Sequence, residues 1–405
     1  MKRQRYAALS LAMAAAGLTS PTWAQSATGV VQNTSAHANY DSVKANTREI
    51  VNPLPAPDTT RVQAQTSNAV SNVTPGFSPG SDPVASGVNT RAFGSFGIPY
   101  TSTRVQLGGS NQTSAVGASY LSSTYPYRAI GKLFINGGHC SASLIRRSVI
   151  VTAAHCIQNF GSGTGGLFGG WVFVPGHYGP AGATLPQREP YGRWTWRALN
   201  RPVTWMNGTD PGSGAARNND VAVIILNKNA SNQFIGDLTG WLGYGWNNYS
   251  FVSSPKTGNL KVAATSTLGY PGLMDFGQIM QRADGPSYLT TVGAAAQIWQ
   301  GNNFTGGSSG GPWIVNFVSF NPVLSGGAAI GAAPNRAVVG VTSWGSADPN
   351  AIKDNYSSRF GQNPQYPNAA YGVYGAGNIG ALLQQVCNLR VTPGGVTYAQ
   401  AGYCN

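Results

Sequence analysis

Seven short apolar stretches, separated by glycine, asparagine, proline and serine, restrict what this chain can fold into. They run Ala129 to Ile135, Ser143 to Val151, Trp171 to Val174, Val221 to Leu226, Lys261 to Leu268, Trp313 to Phe317 and Ala337 to Ser343. Each has the length of a strand and is bounded by turn-forming residues, whereas a helix would need a longer run with a 3.6-residue period. That period appears only at Ile379 to Cys387, where Ala-Leu-Leu-Gln-Gln-Val predicts a short helix near the end. Many short strands joined by glycine-rich turns imply an all-β fold, a sandwich or barrels, closed by a C-terminal helix.

The 405 residues exceed what one such domain needs. Lys2, Arg3 and Arg5 precede an apolar run from Tyr6 to Leu18, and Thr22-Trp23-Ala24 offers a cleavage site, so 1–24 reads as a secretory signal peptide. Residues 25–120 are rich in Ser, Thr, Asn, Ala, Val, Pro and Gly, and before Phe93 hold only Tyr40 and Phe77 as aromatics. Such a stretch buries little core, and both a pro-segment and a disordered linker fit it. Nine of the ten tryptophans lie after Gly170, which assigns the compact domain to 121–405.

Three motifs in that domain carry chemistry. In order they are Val151-Thr152-Ala153-Ala154-His155-Cys156, Asn219-Asp220-Val221-Ala222-Val223, and Gly307-Ser308-Ser309-Gly310-Gly311-Pro312. A serine hydroxyl is a weak nucleophile at neutral pH. It needs an imidazole as general base, and the imidazole needs a buried carboxylate to fix its tautomer. His155, Asp220 and Ser309 are the candidates for these roles. The frame Gly-x-Ser-Gly-Gly-Pro selects Ser309 over Ser308, and the flanking glycines permit a turn that aims the amides of Gly307 and Ser309 at a developing oxyanion.

With these residues the sequence resembles the chymotrypsin/trypsin superfamily and, within it, the bacterial glutamyl endopeptidase-like branch. The likeness runs from about Tyr125 to the C-terminus. It includes Gly137-Gly138-His139-Cys140-Ser141-Ala142-Ser143-Leu144-Ile145 before the histidine motif and Gly340-Val341-Thr342-Ser343-Trp344-Gly345 after the serine motif. The resemblance implies two six-stranded antiparallel barrels with a cleft between them, and a secreted serine endopeptidase that works through an acyl-enzyme. It places Ser343 near Asp220, Ser343-Trp344-Gly345 beside the substrate backbone, and Trp344 against the primary pocket or in a core strand. Asn303 stands where trypsins carry an aspartate, which removes the basis for Lys or Arg preference. Thr342 stands where glutamyl endopeptidases carry a histidine, which removes the basis for Glu preference. Phe304 either narrows that pocket or faces the core. Ser308 replaces the aspartate of animal zymogens, so a freed N-terminal amine has no carboxylate to pair with there.

The resemblance also implies a Cys140–Cys156 disulfide, which leaves Cys387 and Cys404 to pair with each other. Bridges of this kind need an oxidising compartment, periplasm or medium. No metal and no cofactor is expected, because the Cys140 and Cys156 spacing is wrong for a zinc knuckle and only His139 stands nearby besides His155. The formal charge is +13 on a chain only 9% charged. Arg188, Arg193, Arg197, Arg201 and Arg217 sit among Pro, Gly and Trp rather than on a helical face. They are read as solvated loop charge, with no nucleic-acid partner and with retention on anionic cell-surface polymers as an allowed consequence. Protein or peptide substrates and a monomer are expected. Two rival functions stay open: a catalytically silent binding protein on the same fold, and an esterase. The α/β-hydrolase version of the triad has the order Ser, acid, His, which this chain lacks.

Overall fold

The computed structural model describes residues 28–32, 62–64, 74–81, 101–105, 121–253, 261–317, 336–345 and 353–405. The expected signal peptide and most of the expected pro-segment or linker lie outside these residues.

Twelve strands form two closed barrels. The first contains β1 (Ile130–Ile135), β2 (Gly138–Arg146), β3 (Val149–Thr152), β4 (Val172–Pro175), β5 (Trp194–Pro202) and β6 (Ala222–Leu226). The antiparallel pairing runs β1-β2-β3-β6-β5-β4 and returns to β1. Closure removes unpaired edges, and the Val- and Ile-rich β3 and β6 lie wholly inside. Burying each such side chain stabilises the fold by about 1.5–3 kcal/mol.

The second barrel contains β7 (Lys261–Gly269), β8 (Gln281–Val292), β9 (Ala295–Gly301), β10 (Pro312–Val315), β11 (Ala337–Gly345) and β12 (Asp354–Arg359). Its ring is β7-β8-β9-β12-β11-β10 and back to β7. Much of this interior is polar but paired. Thr265 and Ser287 hydroxyls meet at 2.6 Å, Thr267 donates to Gln300 Oε1 at 2.9 Å, and Gln300 Nε2 returns a bond to the Thr265 carbonyl at 3.1 Å. Buried polar groups are tolerated when satisfied in this way.

Helix α1 (Gly377–Cys387) packs on the first barrel, with Asn200 Nδ2 donating to the Leu382 carbonyl at 3.0 Å. Ile379, Leu382, Leu383 and Val386 recur at helical spacing and are all buried. Apolar residues of both barrels and α1 join in one core, from Ile150 and Leu144 through Leu268 and Val341 to Leu382.

The sequence expectation for Ser143 to Val151 was one strand; the structure splits it at Arg147-Ser148 into β2 and β3. Arg147 makes a forked ion pair with Asp237 at 2.7 and 3.0 Å across that turn. Parts of the N-terminal stretch also contribute strands. Thr28–Gln32 lies along β5, Val62–Ala64 and Thr101–Arg104 lie along β8, and Gly76–Ser78 pairs with Gly243–Trp246, which runs parallel to β11.

Candidate active site

The fold brings the three motifs to the boundary between the barrels. His155 sits in a single tight turn after β3, Asp220 stands two residues before β6, and Ser309 lies in the loop that leads into β10. Asp220 is buried, yet its carboxylate is well supplied with donors. Oδ1 accepts the His155 backbone N–H at 2.9 Å; Oδ2 meets His155 Nδ1 at 2.7 Å and accepts the Ser343 hydroxyl at 2.7 Å. The Asp220 N–H in turn donates to Ser358 Oγ at 2.9 Å. An ionised carboxylate out of water requires this many partners. With Nδ1–H held by the carboxylate, Nε2 is the nitrogen left to accept a proton.

Ser343 reaches Asp220 because of a bulge. Thr342 pairs with Ser357 and Trp344 with Tyr356, so Ser343 is the extra residue on β11 and turns out of the regular alternation.

Asn219, next to Asp220, is held from two directions. Asp210 Oδ2 accepts its N–H and Oδ1 its side-chain amide, both at 2.7 Å, while its own Oδ1 accepts from Asn363 at 2.7 Å and Asn378 at 3.2 Å. Burial raises the Asp210 carboxyl to about 6, against the lowering effect of the two bonds from Asn219.

Ser309 is buried, and its Oγ has no hydrogen-bond partner; the bond to His155 is not formed in this structure. The backbone N–H groups of Gly307 and Ser309 donate to no described residue, which leaves both available to an incoming oxygen. Gly310 has φ +78, and a Cβ there would lie 2.0 Å from Thr152 Oγ1, so only glycine fits this close approach to the first barrel. Ser308 donates to the Thr305 carbonyl at 2.7 Å, a local turn bond with no contact to His155 or Asp220.

No protein-family model matches the chain. A glutamyl endopeptidase of Bacillus licheniformis is 28% identical over 189 residues, 46% of this chain and 49% of that protein. Over that stretch the chain is similar in sequence to a glutamyl endopeptidase. It spans about half the length of the curated relative it matches. Among solved structures, the protease Anisep of Arthrobacter nicotinovorans is similar at 23% identity over 59% of this chain and 93% of that one, with a TM-score of 0.41. The thermostable serine protease AL20 of an extremophilic microorganism is similar at 22% identity over 58% and 92%, with a TM-score of 0.42.

In this chain the residues expected to bind substrate are largely interior. Thr342 is buried and committed, accepting from Trp313 Nε1 at 2.9 Å and donating to the Gly311 carbonyl at 3.2 Å. Trp344 stacks flat on Tyr356, ring centroids 3.9 Å apart, and donates to Gln297 Oε1 at 3.0 Å. Phe304 is 1% exposed, and of its two open positions it occupies the buried one. Asn303 is partly exposed, with a buried Oδ1 that has no partner. Gly345 ends β11 opposite Asn355.

Both disulfides are present, Cys140–Cys156 and Cys387–Cys404. Sulfurs of Cys140 and Cys156 lie within 4.8 Å of a His155 nitrogen, but they are bonded to each other and leave no thiolate for a metal. The two bridges point to an oxidising, extracellular or periplasmic location.

Three of the five arginines require a correction: Arg193, Arg197 and Arg201 are not free loop charge. Arg201 is buried among Gln158, the Gly29 carbonyl and Met206, Arg193 pairs with Glu189 at 2.7 Å, and Arg197 bonds the Tyr398 hydroxyl and Val391 carbonyl. Loop carbonyls and side-chain acceptors folded over them, which sequence neighbours alone do not reveal.

Ser358, Asp210 and Asn363 escaped the sequence reading, since nothing local marks them. Ser141, in the segment ahead of the histidine motif, carries no local mark of its contacts either.

Proposed function

We propose that this chain is a secreted serine endopeptidase that hydrolyses peptide bonds of protein or peptide substrates. The observation that carries the reading is the buried Asp220 carboxylate fixed on His155 Nδ1 at 2.7 Å. In this reading His155 Nε2 takes the proton of Ser309 as Oγ attacks the scissile carbonyl carbon. The N–H groups of Gly307 and Ser309 hold the resulting oxyanion, and Asp220 stabilises the imidazolium. The imidazolium then protonates the leaving amine. Water, deprotonated by the same nitrogen, releases the acyl group and restores Ser309.

Cleavage preference follows neither trypsin nor glutamyl endopeptidase, because Asn303 supplies no carboxylate and the Thr342 hydroxyl is already in use. Residues 1–24 act as the signal peptide, and residues 25–120 as a segment ahead of the protease domain 121–405.

The unformed Ser309–His155 bond favours one second reading, a silent binding protein on this fold. A fluorophosphonate probe separates the two. Covalent labelling of secreted protein that maps to Ser309, and is lost in Ser309→Ala, is expected; intact folded protein that takes no label overturns the protease reading. Catalytic bonds are often long in unliganded enzymes and tighten with substrate, so labelling decides where distance does not.

A further inference from the structure

Ser141 holds both residues expected to form the oxyanion hole, and it does so from the opposite barrel. It lies on β2 and is fully buried. Its backbone N–H donates to the Ser309 carbonyl at 2.7 Å. Its hydroxyl donates to the Gly307 carbonyl at 2.9 Å and accepts the Tyr270 N–H at 2.9 Å.

Gly307 needs such restraint. Its φ is +94, a region only glycine occupies freely, and a Cβ would meet His139 Nε2 at 2.4 Å and the Tyr270 carbonyl at 2.5 Å. Glycine here solves the steric problem but leaves the backbone soft, and a rotated peptide would carry the Gly307 N–H away from the nucleophile. Two bonds oppose this. The Gly306 carbonyl, in the same peptide plane as the Gly307 N–H, accepts from Gly272 N–H at 2.7 Å; the next carbonyl, that of Gly307, is the one gripped by Ser141. With both flanking peptide planes pinned, the Gly307 N–H has one direction.

The residues around this clamp are themselves buried and hydrogen-bonded. His139 donates from Nε2 to the Tyr270 carbonyl at 2.8 Å, and burial, together with the nearby Lys132 cation, pushes its imidazole down to about 3. Lys132 itself is buried and donates to the Gly277 carbonyl at 2.8 Å. Tyr270 is therefore fixed by His139 through its carbonyl and fixes Ser141 through its N–H.

We propose that the Ser141 side chain is a positioning residue for the oxyanion hole. The hydroxyl acts through Gly307 and does not touch substrate. This rests on the protease reading above for its kinetic consequence, but the structural clamp is measurable without it.

The test compares Ser141→Ala with Ser143→Ala. Ser143 lies on the same strand and is equally buried, but its hydroxyl has no partner, so its loss costs the loop nothing. Hydrogen–deuterium exchange of peptides covering residues 303–311 reads the clamp. Faster exchange there in Ser141→Ala, with the rest of the chain and Ser143→Ala unchanged, is the expected result. In the active enzyme, Ser141→Ala should lower kcat roughly 10- to 100-fold with KM within about twofold. A peptide aldehyde, whose adduct carries the oxyanion, should bind weaker by the same factor, while a cleaved product peptide binds as before; loss of a whole oxyanion donor costs about 100- to 1000-fold. Ser141→Thr, which keeps a hydroxyl, should recover exchange protection and kcat together.

Unchanged exchange at 303–311 in Ser141→Ala overturns the proposal, as does a change in KM alone with aldehyde affinity intact. Faster exchange in Ser141→Ala, in a protein whose wild type neither labels nor turns over, would leave the clamp standing and remove the protease reading instead.

Discussion

Asp210 should make the fold lose stability as pH rises, the reverse of what a carboxylate held in an ion pair does. Its carboxyl is raised from 3.8 to about 6, first by burial and further by the Asp220 charge, while bonds from Asn219 and Thr204 act the other way. The direction of the effect follows from proton counting. Between 3.8 and 6 the folded chain keeps the Asp210 proton and the unfolded chain has released it, so unfolding becomes easier with each step of pH. The group's contribution is complete below pH 3.8 and is lost as pH passes through 6. At 1.36 kcal/mol per unit, a rise of just over two units amounts to about 3 kcal/mol. Asp210→Asn removes the titration and fixes one donor facing Asn219, which shifts stability by an amount that does not depend on pH. Guanidinium unfolding of both proteins at pH 3.5, 5 and 7.5 therefore isolates the effect in the difference between them. Wild type should lose about 3 kcal/mol relative to the variant from the lowest to the highest pH. A difference that stays constant across the three would refute the reasoning and mean that Asp210 ionises in the folded chain as easily as in water.

Ser343→Ala deletes one of the three donors on the buried Asp220 carboxylate, a charge-assisted bond in the range of about 1.5–3 kcal/mol, and kcat should fall roughly 10-fold or more with little change in KM. Peptide-substrate kinetics will check this, and an unchanged kcat would count against a role for the bulge. Ser309→Ala should remove turnover and leave the melting temperature near wild type, while Ser308→Ala, which loses only the bond to Thr305, should keep most activity; inversion of that order would move the nucleophile to Ser308. Reduction should lower the melting temperature, since bridges of separation 16 and 17 are each worth about 3 kcal/mol in the chain-entropy model; calorimetry with and without reductant, paired with intact mass after alkylation, measures it.

How much of this was legible depended on whether the signal was local. The chemistry was. The candidate nucleophile, base and carboxylate each sit in a short motif whose neighbours are dictated by the turn they occupy, so His155, Asp220 and Ser309 could be singled out from the chain alone. So could the Val- and Ile-rich strands β3 and β6, which carry their burial in their composition. Strands β5, β8, β9 and β12 could not. Gln281–Val292 and Asp354–Arg359 are rich in polar and charged residues, and they become interior only because partners such as Thr265 for Ser287 and Asn302 for Asn355 arrive from distant parts of the chain. The same distinction separates the proposed triad from its supports. Ser141, Asp210, Ser343 and Ser358 act through hydrogen bonds to residues 9 to 168 positions away, and the Ser343 side chain is aimed by a bulge that exists only in the register of β11 against β12. The sequence determined which groups could react, because reactivity belongs to residue type and near neighbours. Their alignment was decided by barrel closure, because only closure sets β2 against the loop of Ser309.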